Sequence, residues 1–384
     1  MDVLFVSPVL PWPLDSGGRI RTYQLARNAA RECRVHLRCV LAPGQGAGSL
    51  APFEPWCASI EVFERSTPGP LLRLGRAKIE RWFHSRPLRD RLREECASGR
   101  YHVLHVDEPL LARAIPRHAA IPIVQHHHKL DADLFERTTS GRGPQRHFDL
   151  WKLRRLERAA ARRSLDHVFC SREDRAAFEV RNGPTRAAVI ANGYDPAYFE
   201  ARAVERERER LVFVGSLSYE PNVNACVRFV EDVLPRLIAR RPRLVFEIVG
   251  RAPGAALRAL VGPHVELHAD VPDVRPHLQR CAICVVPLRI GGGTRLKIPE
   301  AMATGAPVVS TSIGAEGLEL VHGEHLLLAD SPADMAVAIE RLLDDPRAAR
   351  ALGAAGRARV EQLYTWPALA RELVGFWRSV AGAR

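Results

Sequence analysis

Three consecutive glycines, Gly291, Gly292 and Gly293, stand directly ahead of Arg295, Lys297 and Glu300 in the stretch PLRIGGGTRLKIPEAMATGAPVVST, residues 287–311. Glycines let a backbone approach a ligand closely and reach φ > 0. A helix start adds unpaired N–H groups and partial positive charge. Together they predict a bound anion, most simply a phosphate. ICVVPL reads as a strand, RIGGG as the loop at its carboxyl end, and TRLKIPEAMATG as a helix capped by Thr294 and stopped at Gly305. Arg289, Arg295 and Lys297 each suit a phosphate oxygen. Lys297 is the most telling, because the other lysines are only Lys78, Lys129 and Lys152. Glu300 is placed to take two ribose hydroxyls, as acidic residues do in dinucleotide folds.

A second group lies nearer the N-terminus. Gly17 and Gly18 precede a helix after a strand and again offer N–H groups. IPIVQHHHKLDADLFER ends a strand in His126, His127 and His128. Strand alternation sends neighbours to opposite faces, which sets these histidines against one another as candidates. A strand also places three adjacent histidines poorly for one ion, so no metal is assigned. Glu108, after YHVLHVD, lies at another strand end.

The elements that must position these residues alternate in type along the chain. Apolar strand-like runs are DVLFVS, RVHLRCVL, SIEVF, YHVLHV, IPIVQHH, DHVFCS and AAVIA, then RLVFVG, LVFEIVG, VELHA, ICVVPL, PVVST and HLLLA. Helical runs such as GRIRTYQLARNAARE and NVNACVRFVEDVLPRLIARR intervene. That alternation predicts parallel sheets buried on both faces. The pattern restarts after a charged stretch, which predicts a first domain over 1–192, a linker over 193–209 and a second domain over 210–364. A last helix over 365–384 returns to the first domain. With 384 residues, two domains are the natural expectation.

Composition narrows the class. An apolar fraction of 46% with 26% charged residues is that of a globular protein, and no run of eighteen apolar residues occurs. MDVLFVSPVLPW has an acid where a signal peptide is basic, and reads as a first strand of a cytoplasmic protein. Eight scattered cysteines suit a reducing compartment, and the single CxxC, Cys281 to Cys284, suits core packing. The net charge of +12 comes from arginine, crowded in LLRLGRAKIERWFHSRPLRDRLREE and RGPQRHFDLWKLRRLERAAARRS. These read as amphipathic helices suited to solvent or to an anionic inner membrane face. The six tryptophans show no stacking platform for nucleic acid and no recognition motif is present, so no specific nucleic acid is expected.

GGGTRLKIPEAMATGAPVVST resembles the sugar-nucleotide signature of the retaining glycosyltransferases of family 4. DSGGRIRTYQLARNAA, VIANGYDPAYF, FVGSLSYEPNVNA, FEIVGRAP and HADVPDVRPHLQRCAICVVPL follow that family's motifs in order. The resemblance implies a GT-B fold: two facing Rossmann-like, doubly wound α/β domains with a deep cleft. It implies transfer of a sugar from a nucleotide-diphosphate sugar, with retention, to a glycan, a lipid-linked or a small-molecule acceptor, with no cofactor and no metal. The donor side would comprise Gly215, Ser216, Asn222 and Val271 with Arg289, Gly291 to Gly293, Thr294 and Glu300. Arg295, Lys297 and His128 would act catalytically. His128, Asp131 and Arg137 match the family's histidine, acid and arginine, and with Gly17, Gly18 and Glu108 would face the sugar and acceptor. Two departures stand out: Gly292 replaces the first of two family glutamates, and Ser216 and Pro221 replace an arginine and a lysine. A nucleotide-sugar epimerase of the same fold and a basic nucleic-acid-binding protein are the alternative readings.

Overall fold

The computed structural model describes residues 1–41, 48, 50–69, 75–117, 119–139, 143–164, 166–200 and 204–382. Within them the chain divides into two compact units, one of residues 1–191 and 366–384, the other of residues 192–365.

The first unit carries seven strands: β1 (Asp2–Ser7), β2 (Arg34–Val40), β3 (Ser59–Phe63), β4 (Val103–Asp107), β5 (Ile123–His127), β6 (Asp166–Phe169) and β7 (Arg186–Val189). All pair in parallel, in the order β3-β2-β1-β4-β5-β6-β7. β1, β4 and β5 are buried nearly throughout, which is why they read as continuous apolar runs rather than alternating ones. Strand order reverses where β1 pairs with both β2 and β4, and ligands in such sheets bind at the carboxyl ends beside that reversal. Gly17–Ala29 is the helix after β1.

The helix Trp366–Ala381 belongs to this unit and packs on Gly17–Ala29. Trp377 is fully buried and meets the Phe5 ring edge-on at 6.3 Å. The first unit's core is thus completed by the chain's last helix.

The second unit carries β8 (Glu207–Val214), β9 (Val245–Gly250), β10 (Val265–Ala269), β11 (Cys281–Val286), β12 (Val308–Ser310) and β13 (Leu327–Leu328), parallel in the order β10-β9-β8-β11-β12-β13. Here the order reverses between β8 and β11. The stretch read as a linker, 193–209, differs from that reading. Asn192 onward already belongs to the second unit, Tyr194 pairs with Thr365, and β8 begins at Glu207. The charged run hid only the start of the strand, whose first two residues are solvent-exposed while the later ones are core. Residues 201–203 lie outside the described residues.

Two helices deviate from their sequence reading because of proline. The run from Glu220 to Ile238 widens into a π turn over Phe229–Val233. Pro235 lies two residues beyond it; it has no N–H and its ring crowds the carbonyl four residues back, and a wide turn relieves both. The helix of the glycine stretch spans only Lys297–Ala303, not Thr294 onward. Starting at Thr294 would put Pro299 in the helix interior, where it clashes with the Arg295 carbonyl. In the first turn it is tolerated. Gly305, at φ 73°, ends the helix in the left-handed conformation that glycine adopts without strain.

Candidate active-site groups

In the second unit the groups gather at the carboxyl ends of β8 and β11. Lys297 is buried; its ammonium donates to Asn222 Oδ1 at 2.9 Å and lies 3.7 Å from the centre of the Phe213 ring. Asn222 in turn donates through Nδ2 to the Ser216 carbonyl at 2.8 Å, so one side chain ties the lysine to the loop after β8. Gly215 lies against both: a Cβ there would stand 2.9 Å from Lys297 Nζ and 2.9 Å from Asn222 Nδ2. Ser216 Oγ is 3.3 Å from Ser218 Oγ. Burial pushes the Lys297 ammonium down to about 7, and burial likewise pushes the Glu300 carboxyl up to about 7, the lysine's charge opposing. No described residue makes a hydrogen bond or ion pair with the Glu300 carboxylate. A cation and a carboxylate three residues apart on a helix share one side of it.

Thr294 and Arg295 behave differently from expectation. The Thr294 hydroxyl is no helix cap; it accepts the Asn192 N–H at 2.7 Å, while Asn192 Nδ2 donates to the Thr294 carbonyl at 2.7 Å. The ANG turn is thereby docked on the glycine loop. Arg295 is engaged by that loop too. Its guanidinium donates to the carbonyls of Gly292, at 2.5 Å, of Gly293, and of Ile313, at 3.3 Å, and lies 3.8 Å from Glu316. Consecutive glycines leave carbonyls with no ladder partner, and the arginine supplies their hydrogen bonds. Arg295 shapes the loop; Lys297 holds the buried cationic position. Arg289 is exposed, and Val271 is half-buried in the loop after β10.

In the first unit the groups gather at the carboxyl ends of β4 and β5. His127 turns to one face, where it stacks on Phe169 at 4.8 Å and donates to His167 Nδ1 at 3.1 Å. His126 and His128 share the other face, their rings 4.9 Å apart. His126 is fully buried and accepts from Arg21 at 2.8 and 3.1 Å. His128, one residue beyond the strand, is the half-buried one. Its Nε2 donates to Asp107 Oδ1 at 2.7 Å and its Nδ1 to Glu108 Oε1 at 3.0 Å. A Cβ on Gly18 would stand 3.8 Å from that Nδ1, so the glycine helix start borders the same ring. Glu108 sits at φ 78°, a strained conformation for a non-glycine residue, and its Oε2 is buried without a hydrogen-bond partner. Asp131 opens the next helix, 3.4 Å from Lys129. Arg137 lies exposed in that helix's last turn.

Both ring nitrogens of His128 are therefore occupied by carboxylates, and Glu108 beside it keeps one polar atom open. Sequence reasoning missed Asp107 altogether. The signal was there: HVDEP ends an apolar strand in two successive acids. All eight cysteines are free and the pair Cys281 and Cys284 is buried in the core.

Among the described residues, two clusters have metal-ligand composition, His105 with Asp107 and His126, and Glu247 with His268 and His277. In the second, the Arg210 and Arg280 guanidinium groups already donate to Glu247, where a metal ion would have to sit.

Sequence and structure comparisons agree with this architecture. Residues 16–198 match a model described as Glycosyltransferase Family 4, and residues 208–345 one described as Glycosyl transferases group 1. Glycogen synthase of Mycobacterium tuberculosis is 26% identical over 291 residues, 71% of this chain and 67% of that protein. Phosphatidyl-myo-inositol mannosyltransferase of Mycolicibacterium smegmatis is 29% identical over 51% of this chain and 53% of its own length. Sucrose-phosphate synthase from Thermosynechococcus elongatus superimposes over 100% of both chains with a TM-score of 0.73 at 19% identity. HepE of Anabaena, solved with UDP and glucose, covers 99% of this chain and 100% of its own with a TM-score of 0.72 at 17% identity.

Proposed function

The chain belongs to the group 1, family 4 glycosyltransferases of GT-B fold, and from that premise we propose that it transfers a sugar from a nucleotide diphosphate to an acceptor hydroxyl with retention. The observation that carries the donor side is the Gly215–Asn222–Lys297 contact with the unpaired Glu300 carboxylate three residues on. Lys297 meets the departing diphosphate, and Glu300 takes the ribose hydroxyls. A fixed cation aimed at the leaving oxygens stabilises the developing charge without reorganisation, so the reading assigns no metal and no cofactor. Arg289 supplies an exposed cation at the loop's edge. Gly17, Gly18, Glu108 and His128 act on the sugar or the acceptor, which on this reading is a glycan, a lipid-linked or a small molecule. HepE, a relative in fold, holds UDP and glucose, which supports a nucleotide donor of this kind.

The test is a panel of UDP-, GDP-, ADP- and dTDP-sugars, read by thermal stabilisation and by hydrolysis with and without acceptor. Stabilisation by none of them would remove the donor assignment, and recovery of an epimerised donor without acceptor would turn the reading to an isomerase. With the donor so identified, Glu300→Gln should weaken its binding about tenfold or more, the scale of lost charged hydrogen bonds. Unchanged affinity in the folded variant would remove Glu300 from the site.

Peripheral contact with an anionic membrane is part of the same proposal. Trp82, Phe148 and Trp151 are 50%, 43% and 44% exposed, and Lys78, Lys152 and Arg155 lie over their rings. Aromatic rings interleaved with cations suit a lipid headgroup layer. Co-sedimentation with phosphatidylglycerol vesicles and not with phosphatidylcholine vesicles is the expected result.

A further inference from the structure

Asp107 ends β4 with its carboxylate buried beside groups from the helix after β1 and from the end of β5. Thr22, in the helix after β1, donates its hydroxyl to Oδ2 at 2.5 Å, and His128 donates to Oδ1 at 2.7 Å. His126 Nδ1 is 3.5 Å from Oδ1, and His105 completes the cluster. We propose that Asp107 is the positioning residue for His128, fixing the ring and holding it as an imidazolium, and that a buried chain of donors from Trp377 and Arg21 fixes Asp107 in turn. The inference rests on the reading that His128 faces the sugar or acceptor.

A tryptophan N–H and a guanidinium can only donate. Trp377 Nε1 meets His105 Nδ1 at 3.1 Å, and Arg21 meets His126 Nε2 at 2.8 and 3.1 Å. A neutral imidazole has one lone pair, so each ring has spent its own on that outer donor. Both rings are neutral: burial pushes His105 down to about 3 and His126 well below its ordinary value. Their protons therefore lie on His105 Nε2 and His126 Nδ1, which stand 3.3 Å apart. Two N–H groups converging in the interior favour an anion nearby, and Asp107 supplies it, 3.5 Å from His126 Nδ1 and in one cluster with His105. This protonation leaves no lone pair for a metal ion at His105 and His126, which explains a cluster of ligand-type residues without calling for one.

The groups around His128 define its charge. Asp107 comes from β4 and Glu108 follows it. His126 is neutral on the same face of β5, Lys129 and Asp131 lie just beyond, and His127, His105 and Arg21 stand behind. Burial lowers the ring's pKa, but Asp107 first and Glu108 second raise it to about 9. Burial raises the Asp107 carboxyl and His128 more than reverses that, so the carboxylate stays ionised.

The experiment uses the full chain labelled with ¹³C-histidine, with the His128 resonance assigned by its loss in His128→Gln. In the wild type the His128 signal should titrate with a midpoint near 9. Asp107→Asn keeps the shape and should lower that midpoint by about one unit or more, cut turnover and leave nucleotide affinity unchanged. A folded Asp107→Asn protein whose His128 titrates at the wild-type midpoint overturns the proposal. If Asp107→Asn does not fold, Thr22→Val decides: it leaves both acids charged and frees the carboxylate, so a smaller drop in midpoint and turnover is expected, and wild-type values for both overturn it. A lowered midpoint with unchanged turnover upholds the pairing and instead removes His128 from the reaction.

Discussion

Replacing Lys297 by methionine is expected to lower turnover about a hundredfold or more, the effect of removing one fixed donor from a developing oxyanion, while the protein stays folded. The Lys297 ammonium lies over the Phe213 ring, and methionine keeps an unbranched apolar side chain of similar reach while deleting the charge. Binding should reveal the same group. In the free protein burial holds the Lys297 ammonium near 7, so at pH 8 it is mostly neutral. A diphosphate beside it favours the charged form, and binding then takes up a proton. Affinity for the nucleoside diphosphate should fall as pH rises above 7.5, by close to tenfold per unit at most. Glu300 works in the opposite sense: its carboxyl, raised to about 7, is mostly ionised above that pH and no longer contributes to the slope. Calorimetry in buffers of differing ionisation enthalpy reads the proton directly. Equal proton uptake in wild type and Lys297→Met would take the diphosphate away from this lysine.

The three adjacent histidines should separate into three behaviours when each is changed to alanine. His126→Ala strands two buried guanidinium donors of Arg21 and should cost about 3 kcal/mol of stability, seen as a lower denaturation midpoint. His127→Ala opens a cavity beside Phe169 and should cost about 2 kcal/mol. His128→Ala should fold and bind nucleotide normally, yet lose turnover about a hundredfold. A stable His126→Ala protein without activity would move the reactive role to that ring. Equal loss of nucleotide binding in all three would end the assignment of the donor to the second unit.

These histidines also show where sequence reading stops. Alternation with a period of two places His127 opposite its neighbours, and that much is visible in the letters. It cannot separate His126 from His128, which share a face. The difference is that His128 lies one residue past the strand, beyond the last rung shared with β6, and rung number is a property of the partner strand. The central strands β1, β4 and β5 were legible because parallel strands buried on both faces are largely apolar. The short helix at Lys297 was not, because Thr294 makes an acceptable cap and only Pro299, read as a constraint on where the helix can begin, argues for the later start. Asp107 and Glu108 are consecutive acids at one strand end, and the letters alone do not show which of them is buried. A buried carboxylate reveals itself through the donors that converge on it, and those come from residues 22, 126, 128 and, through His105, 377.

The return of Trp366–Ala381 to the first unit has a consequence for synthesis. The chain emerges from its N-terminus, so β1 to β7 are available long before the second unit exists. Trp377, which fills space beside Phe5 and supplies the hydrogen bond to His105, is translated only after the whole second unit. The first unit to emerge is therefore the last to be finished. Until the final helix arrives it carries an open apolar seam along Gly17–Ala29 and an unanchored histidine, the kind of exposed surface that holds nascent chains in chaperone-dependent states. The second unit, contiguous over residues 192–365, has no such wait and can fold as soon as it clears the ribosome.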